Sequence, residues 1–242
     1  MVYKEFIEAT IEACKEISTL LKKLEESDFE YVSLGAGGDM SSVIDLNAEK
    51  VFINHLNPFG KIISEESGEV GNGEVQIVLD PIDGSDNLAS GFPYFGSSIA
   101  LVEDDITKVG IICNFANGDI FVKTEEKFEF AKLDSLNFES VIKNPNSKIG
   151  LFEKARVNHE LINRLTQNML KFRSPGAVAV SLAYAHSVRF VIFGAKARAF
   201  DVQAGLFMCN NLHVYRDDKI LFVSHDKNVF EQLSSILLNE EL

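Results

Sequence analysis

Residues 75–87, VQIVLDPIDGSDN, constrain this chain more than any other stretch. The run VQIVLD is apolar up to its closing acid, the pattern of a buried strand. Pro81 cannot continue a ladder, Asp83 follows three residues after Asp80, and Gly84 permits close backbone approach. Ser85 can open a helix. Strand, acidic turn and helix start then gather two carboxylates and a set of free N–H groups around one point. Hard cations such as Mg2+ take oxygen ligands from a few carboxylates together with a phosphate. A helix N-terminus supplies donors to that phosphate. A plain capped turn has the same local signature, so acids elsewhere in the chain must decide.

Three further acidic sites are in place. Glu65-Glu66 follows the short strand KIIS (61–64), fifteen residues before Asp80, so the two strand ends are neighbours if the strands pair. Asp39 and Asp45 flank MSSVI inside the Gly-rich stretch and the helix that begins near Asp45, where Asp45 also suits an N-cap. Asp201 lies in RAFDVQAG, between an aromatic and an apolar helix.

The surrounding pattern places these acids on elements. Residues 2–26 carry Phe6, Ala9, Ala13, Ile17, Leu20 and Leu24 at helical spacing. After Phe95 the runs GSSIALVE, TKVGIICNF, DIFVKTE and KFEFAKL, separated by Asp104-Asp105, Asn117-Gly118 and Glu125-Glu126, predict a β-meander. The polar segment 134–148 reads as a connection between a domain at 1–135 and one at 146–242. The second half predicts strands at 149–152, 188–193, 212–216 and 219–224, with helices at 157–170, 176–186, 202–210 and 226–240. The fold class expected is α/β, with an α+β first half.

Charge narrows the function. The chain of 242 residues has a net charge of −13, which disfavours a nucleic-acid platform. An anionic substrate is still compatible, because a bound cation inverts the local potential. Three scattered cysteines give no disulfide framework or zinc ribbon. No apolar run approaches the roughly 18 residues of a membrane helix. A soluble cytoplasmic protein is the expectation, and the five histidines, without metal-like spacing, read as structural or surface residues.

GDMSSVID (38–45), SEES (64–67), DPIDGSDN (80–87) and FDVQAG (200–205), in this order, resemble the inositol monophosphatase family of metal-dependent phosphatases. That family includes fructose-1,6-bisphosphatases and 3′-phosphoadenosine 5′-phosphate phosphatases. The resemblance implies a layered αβαβα sandwich and hydrolysis of small phosphate monoesters without a covalent intermediate. It assigns Glu65, Asp80 and the Ile82 carbonyl to one Mg2+, and Asp80, Asp83 and Asp201 to a second. A third, weaker Mg2+ is implied beside Glu65. Asp45 and Ser85 would pair and, with Glu65, orient and deprotonate a water held by the metal. Gly84 and Ser85 N–H groups and Asp83 would meet the substrate, with Ser174, Lys196 and Arg198 as candidate rim contacts. Lys196 and Arg198 also suit a solvated loop, and Ser174 a turn before a helix. A homodimer is likewise what the resemblance implies.

The match departs from the family in four places. Ser85 stands where the family has Thr, and Phe200 where it has Trp. The FGAKARAFD segment is longer than the common spacing. An acid that holds inositol hydroxyls in many members has no counterpart near Ile192. Inositol 1-phosphate heads the substrates expected, followed by fructose 1,6-bisphosphate and 3′-phosphoadenosine 5′-phosphate. A regulatory interaction protein on the same fold is the rival from another class.

Overall fold

Phe6, Ala13 and Ile17 are fully buried along one face of the first helix, α1 (Val2–Leu20). The computed structural model describes residues 2–238. The helix expected to reach residue 26 stops at Leu20 and tightens into 3₁₀ turns, Leu21–Lys23 and Glu26–Phe29. Glu25 and Asp28 make a reciprocal cap that starts the second turn and leaves Leu24 extended. A hairpin, β1 (Tyr31–Leu34) and β2 (Met40–Ser42), encloses the Gly-rich stretch. Helix α2 (Val43–Leu56) starts before Asp45 because Ser42, not Asp45, is its N-cap.

The large sheet is built from β3 (Lys61–Ser64), β4 (Gly68–Val70), β5 (Gln76–Asp83), β6 (Gly96–Glu103), β7 (Ile106–Asn114), β8 (Asp119–Thr124), β9 (Phe128–Lys132) and β10 (Glu139–Ser140), with helix α3 (Ser85–Ala89) after β5. Its order is β10-β9-β8-β7-β6-β5-β3-β4, and only β3 and β5 pair in parallel. The meander is as expected. Asp104 and Asp105 both adopt positive φ, the two-residue turn that suits the twist of a hairpin. The connection at 134–148 is not bare, since β10 within it extends the sheet.

The second sheet has the order β12-β11-β13-β15-β14, from β11 (Gly150–Glu153), β12 (Phe172–Arg173), β13 (Val191–Phe193), β14 (His213–Arg216) and β15 (Leu221–Ser224). Its helices are α4 (His159–Gln167), α5 (Val178–Ala183), α6 (Ala199–Met208) and α7 (Lys227–Leu238). Helices α4 and α5 are shorter at both ends than the sequence pattern predicts, β13 starts three residues later, and α6 starts three residues earlier. Residues 239–240 of the last expected helix lie outside the described residues.

Five layers result. Helices α1 and α2 cover one face of the large sheet, with Phe6, Phe52 and Ile77 in one cluster. Helices α5 and α6 fill the space between the sheets: Val180 and Met208 pack on Ile112, while Leu182 and Val202 pack on Val191 and Val223. Helices α4 and α7 close the far side through Leu165 and Leu233 against Phe152 and Ile192. This is the αβαβα sandwich expected. No helix among the described residues is long and apolar enough to cross a membrane.

Candidate active site

The parallel pairing of β3 with β5 sets Ser64 beside Leu79, and the Glu65 amide donates to the Leu79 carbonyl at 3.1 Å. Glu65 and Asp80 therefore emerge side by side. Beyond Asp80 the β5–β6 register slips until Asp83, which takes Pro81 and Ile82 out of the ladder. Ser97 Oγ holds the Pro81 carbonyl at 2.5 Å. Gly84, at φ 91°, turns the chain into α3, and a Cβ there would stand 3.0 Å from that of Ala177. The Gly-rich loop packs over Glu65: the Gly37 amide donates to the Glu65 carbonyl at 2.7 Å, and a Cβ on Gly37 would meet Glu65 Cγ at 2.7 Å.

Asp201 arrives from the other half of the chain, in the first turn of α6. Carboxylate oxygens of Glu65, Asp80 and Asp201 lie within 4.8 Å of one another. Like charges so close, taken out of water, favour protonation. Burial, opposed by Arg198 and reinforced by Asp201, pushes Glu65 up to about 7. Burial and then Glu65 push Asp80 well above the usual carboxylate range. Asp80 Oδ1 is buried with no hydrogen-bond partner. A buried acceptor left unmet costs about 1–3 kcal/mol, and a divalent cation would satisfy it.

A cavity of about 670 Å3 opens over this cluster, and all of Asp45, Glu65, Asp80, Ile82, Asp83, Gly84, Ser85, Ser174, Lys196, Arg198 and Asp201 line it. Their local roles differ from expectation in places. Asp83 is already engaged by α5: its two oxygens accept the Val178 and Val180 amides at 3.1 and 2.9 Å. The expected Asp45–Ser85 pair is not formed. Asp45 Oδ2 instead accepts Ser42 Oγ at 2.6 Å and its amide at 2.9 Å, as the cap of α2 requires, and Asp45 Oδ1 is another buried atom without a partner. Burial raises the Asp45 pKa.

Lys196 is exposed, but Arg198 is no free rim residue. Its guanidinium is ion-paired with Asp39, Glu65 and Asp201, each at 2.8 Å. Ile192 points away, into the core beneath α4 and α7, and its neighbours Phe193 and Ala195 face the cavity.

Sequence reasoning missed Glu153, Lys154 and Arg156, which also line the cavity. Glu153 is 2% exposed and closes β11 much as Asp80 closes its run, so the same strand-then-acid pattern in LFEKAR was there to be read.

The profile of the inositol monophosphatase family matches residues 2–211. The chain belongs to the inositol monophosphatase family. A curated relative, Nus factor SuhB of Xylella fastidiosa, is 29% identical over 205 residues, covering 79% of this chain and 73% of the relative. The fructose-1,6-bisphosphatase/inositol-1-monophosphatase of Methanothermobacter thermautotrophicus is 24% identical over 229 residues, covering 87% and 75%. Among solved structures, an inositol monophosphatase–fructose 1,6-bisphosphatase superposes with a TM-score of 0.81 at 20% identity, over 96% of this chain and 99% of the other. The last likeness speaks for the fold. Family membership makes this a phosphatase-type chain of a metal-dependent family, and the unmet Asp80 oxygen among clustered acids fits a cation.

Proposed function

We propose that this chain hydrolyses small sugar or polyol phosphate monoesters with Mg2+. The observation that carries this is the convergence of Glu65, Asp80 and Asp201 around the partnerless Asp80 oxygen at the floor of the cavity. Glu65, Asp80, Asp201, the Ile82 carbonyl and Asp83 would hold the ions. When bound, the cations neutralise the phosphate dianion and lower the pKa of water.

The chain's own residues supply the rest. Ser85 opens α3, so its amide has no acceptor within the helix and is available to a phosphate oxygen. The buried Asp83 carboxylate, fixed by two α5 amides, keeps the turn at Gly84 in place. Glu65, at the end of β3 beside Asp80, would orient a water and accept its proton. Asp45 would share that task through its free oxygen, with Ser85 lining the same cavity.

A second phosphate on the substrate is favoured by one observation. Lys154, Arg156 and Lys196 line the same cavity as the acids, and Lys154 is held at a positive φ of 60°. Such strain in a non-glycine residue costs about 1–3 kcal/mol and persists where the surroundings over-determine it. Fructose 1,6-bisphosphate therefore stands beside inositol 1-phosphate. A homodimer, and an interaction role alongside the activity, complete the proposal.

The test is phosphate release from inositol 1-phosphate, fructose 1,6-bisphosphate and 3′-phosphoadenosine 5′-phosphate, with Mg2+, for the wild type and Asp80→Asn. Release that depends on both the metal and Asp80 is expected. Equal release from the two proteins would place the chemistry elsewhere, and no release by either would leave the fold as a binding scaffold.

A further inference from the structure

Arg198 puts a monovalent cation where the acids would hold a divalent one. Its Nε and Nη2 reach Asp201 Oδ2 and Oδ1 at 2.9 and 2.8 Å, so the fork takes both oxygens of that carboxylate. The same Nη2 is 2.8 Å from Glu65 Oε1. The other arm, Nη1, lies outside the cluster, on Asp39 Oδ2 at 2.8 Å and the Gly37 carbonyl at 2.9 Å. Phe200 backs the guanidinium at 5.2 Å from the ring centroid. The backbone amide of Arg198 also donates to Asp201 Oδ2, at 3.1 Å, which ties the residue to its partner's helix turn.

The arrangement is selective. Glu65 and Asp201 are served by the guanidinium, while Asp80 Oδ1, in the same cluster, is served by nothing. An arginine is never neutral in a protein, so it cannot make way by losing its proton. A guanidinium between Glu65 and Asp201 and a divalent ion drawing on the same oxygens repel each other strongly at such distances. One of them must move. The Arg198 side chain has a place to hold on to: Asp39 and the Gly37 carbonyl engage Nη1 and do not belong to the three-acid cluster.

We propose that Arg198 is a built-in competitor for the metal, bridging Glu65 and Asp201 when no ion is bound and releasing them, while still anchored at Asp39 and Gly37, when an ion enters. The proposal rests on the metal site put forward above and adds a device to it. The metal-free protein keeps Glu65 and Asp201 paired, and the ion binds more weakly than the carboxylates alone would allow.

The test is a titration of metal-free wild type, Arg198→Gln and Arg198→Lys with Mn2+, following free Mn2+ by electron paramagnetic resonance. Asp80→Asn serves as the control for the site. Arg198→Gln is expected to bind Mn2+ about tenfold more tightly, the ratio that ~1.4 kcal/mol of lost competition gives. Arg198→Lys, which keeps a charge but not the fork, should fall between. A merely structural role would move affinity the other way, because a disordered cluster binds an ion less well.

Equal or weaker binding by Arg198→Gln overturns the proposal while leaving the metal site intact. Should Arg198→Gln fail to fold without metal, Arg198→Lys decides by the same criterion. Wild-type binding no better than that of Asp80→Asn overturns the metal site itself, and the competitor with it.

Discussion

Two buried carboxylates line one cavity and are in contrary states. Glu153, closing a strand of the second sheet, has both oxygens engaged: the Gly176 amide donates at 2.8 Å and Ser181 Oγ at 2.5 Å. Asp80, closing the apolar run of the first, has an oxygen with no donor and two acidic neighbours. Burial raises the pKa of both, so neither depth nor titration tells them apart. The partner count does. Glu153 is tied into the segment that carries Pro175 and α5, and reads as a strut; Asp80 is left wanting a cation.

The sharpest way to break this contrast is to neutralise each acid in turn. Asp80→Asn should lower phosphate release by more than about a hundredfold, since even partners outside a metal's ligand set cost 10–100-fold. Its metal-free melting temperature should hold or rise, because a repelled charge is gone. Glu153→Gln should do the reverse. It sets an amide N–H against donors that needed acceptors, at a cost of about 1–3 kcal/mol, or roughly 2–4 °C of melting temperature per kcal/mol. Mn2+ binding should survive in Glu153→Gln. Loss of metal binding there, with stability lost in Asp80→Asn, would invert the assignment.

Acidity offers a subtler comparison of the same acids with a buried base. The Glu65 carboxyl is raised from 4.5 to about 7 in the folded protein, by burial first, with Asp201 and Glu66 adding and Arg198 opposing. The folded state then binds the proton more tightly than the unfolded chain. Stability from this group is full below 4.5 and is lost as pH rises through about 7. His186 runs the other way: burial lowers it from 6.5 to about 4, so its contribution is full above 6.5 and lost as pH falls through 4. In chelator the two offset each other below pH 6.5, so the melting temperature should decline between pH 6.5 and 7.5, where the Glu65 loss stands alone, and Glu65→Gln should flatten that slope. Added Mg2+ should flatten it too, because the ion binds the deprotonated acids. A wild-type curve in chelator that climbs across this range would deny the acids their repulsion.

Much of this was written in the chain and some was not. The meander was legible because apolar runs alternate with Asp104-Asp105 and Asn117-Gly118, turns whose residues tolerate positive φ. The pairing of Glu65 with Asp80 followed from two strands that each end in an acid. Strands β10 and β12, two residues long, carry no period to detect. The failed Asp45–Ser85 pair had a visible competitor in Ser42, three residues before Asp45 and placed to cap the helix. The direction of Ile192 could not be read, since Val191 and Phe193 beside it on the strand are apolar and buried as well. The grip of Arg198 on Asp39 could not be read, as a flexible side chain meets a residue 159 positions away.

The smallest change expected tests whether Ser85 acts through its hydroxyl or only through its backbone. Ser85 accepts nothing from Asp45 and donates nothing to it, yet it lines the cavity at the first position of α3. Ser85→Thr keeps the hydroxyl and adds a methyl that restricts χ1. The side chain is half-buried beside open space, so the methyl has room, and phosphate release should stay within about threefold of wild type, well short of the 10²–10⁴ that a positioned proton-transfer group contributes. Ser85→Ala separates the two roles: a loss approaching that range marks the hydroxyl as a participant, whereas a rate like that of Ser85→Thr assigns the contribution to the amide at the helix start. A large loss in Ser85→Thr alone would mean that the methyl takes the place of a phosphate oxygen, which would fix where the ester sits relative to the unmet oxygen of Asp80.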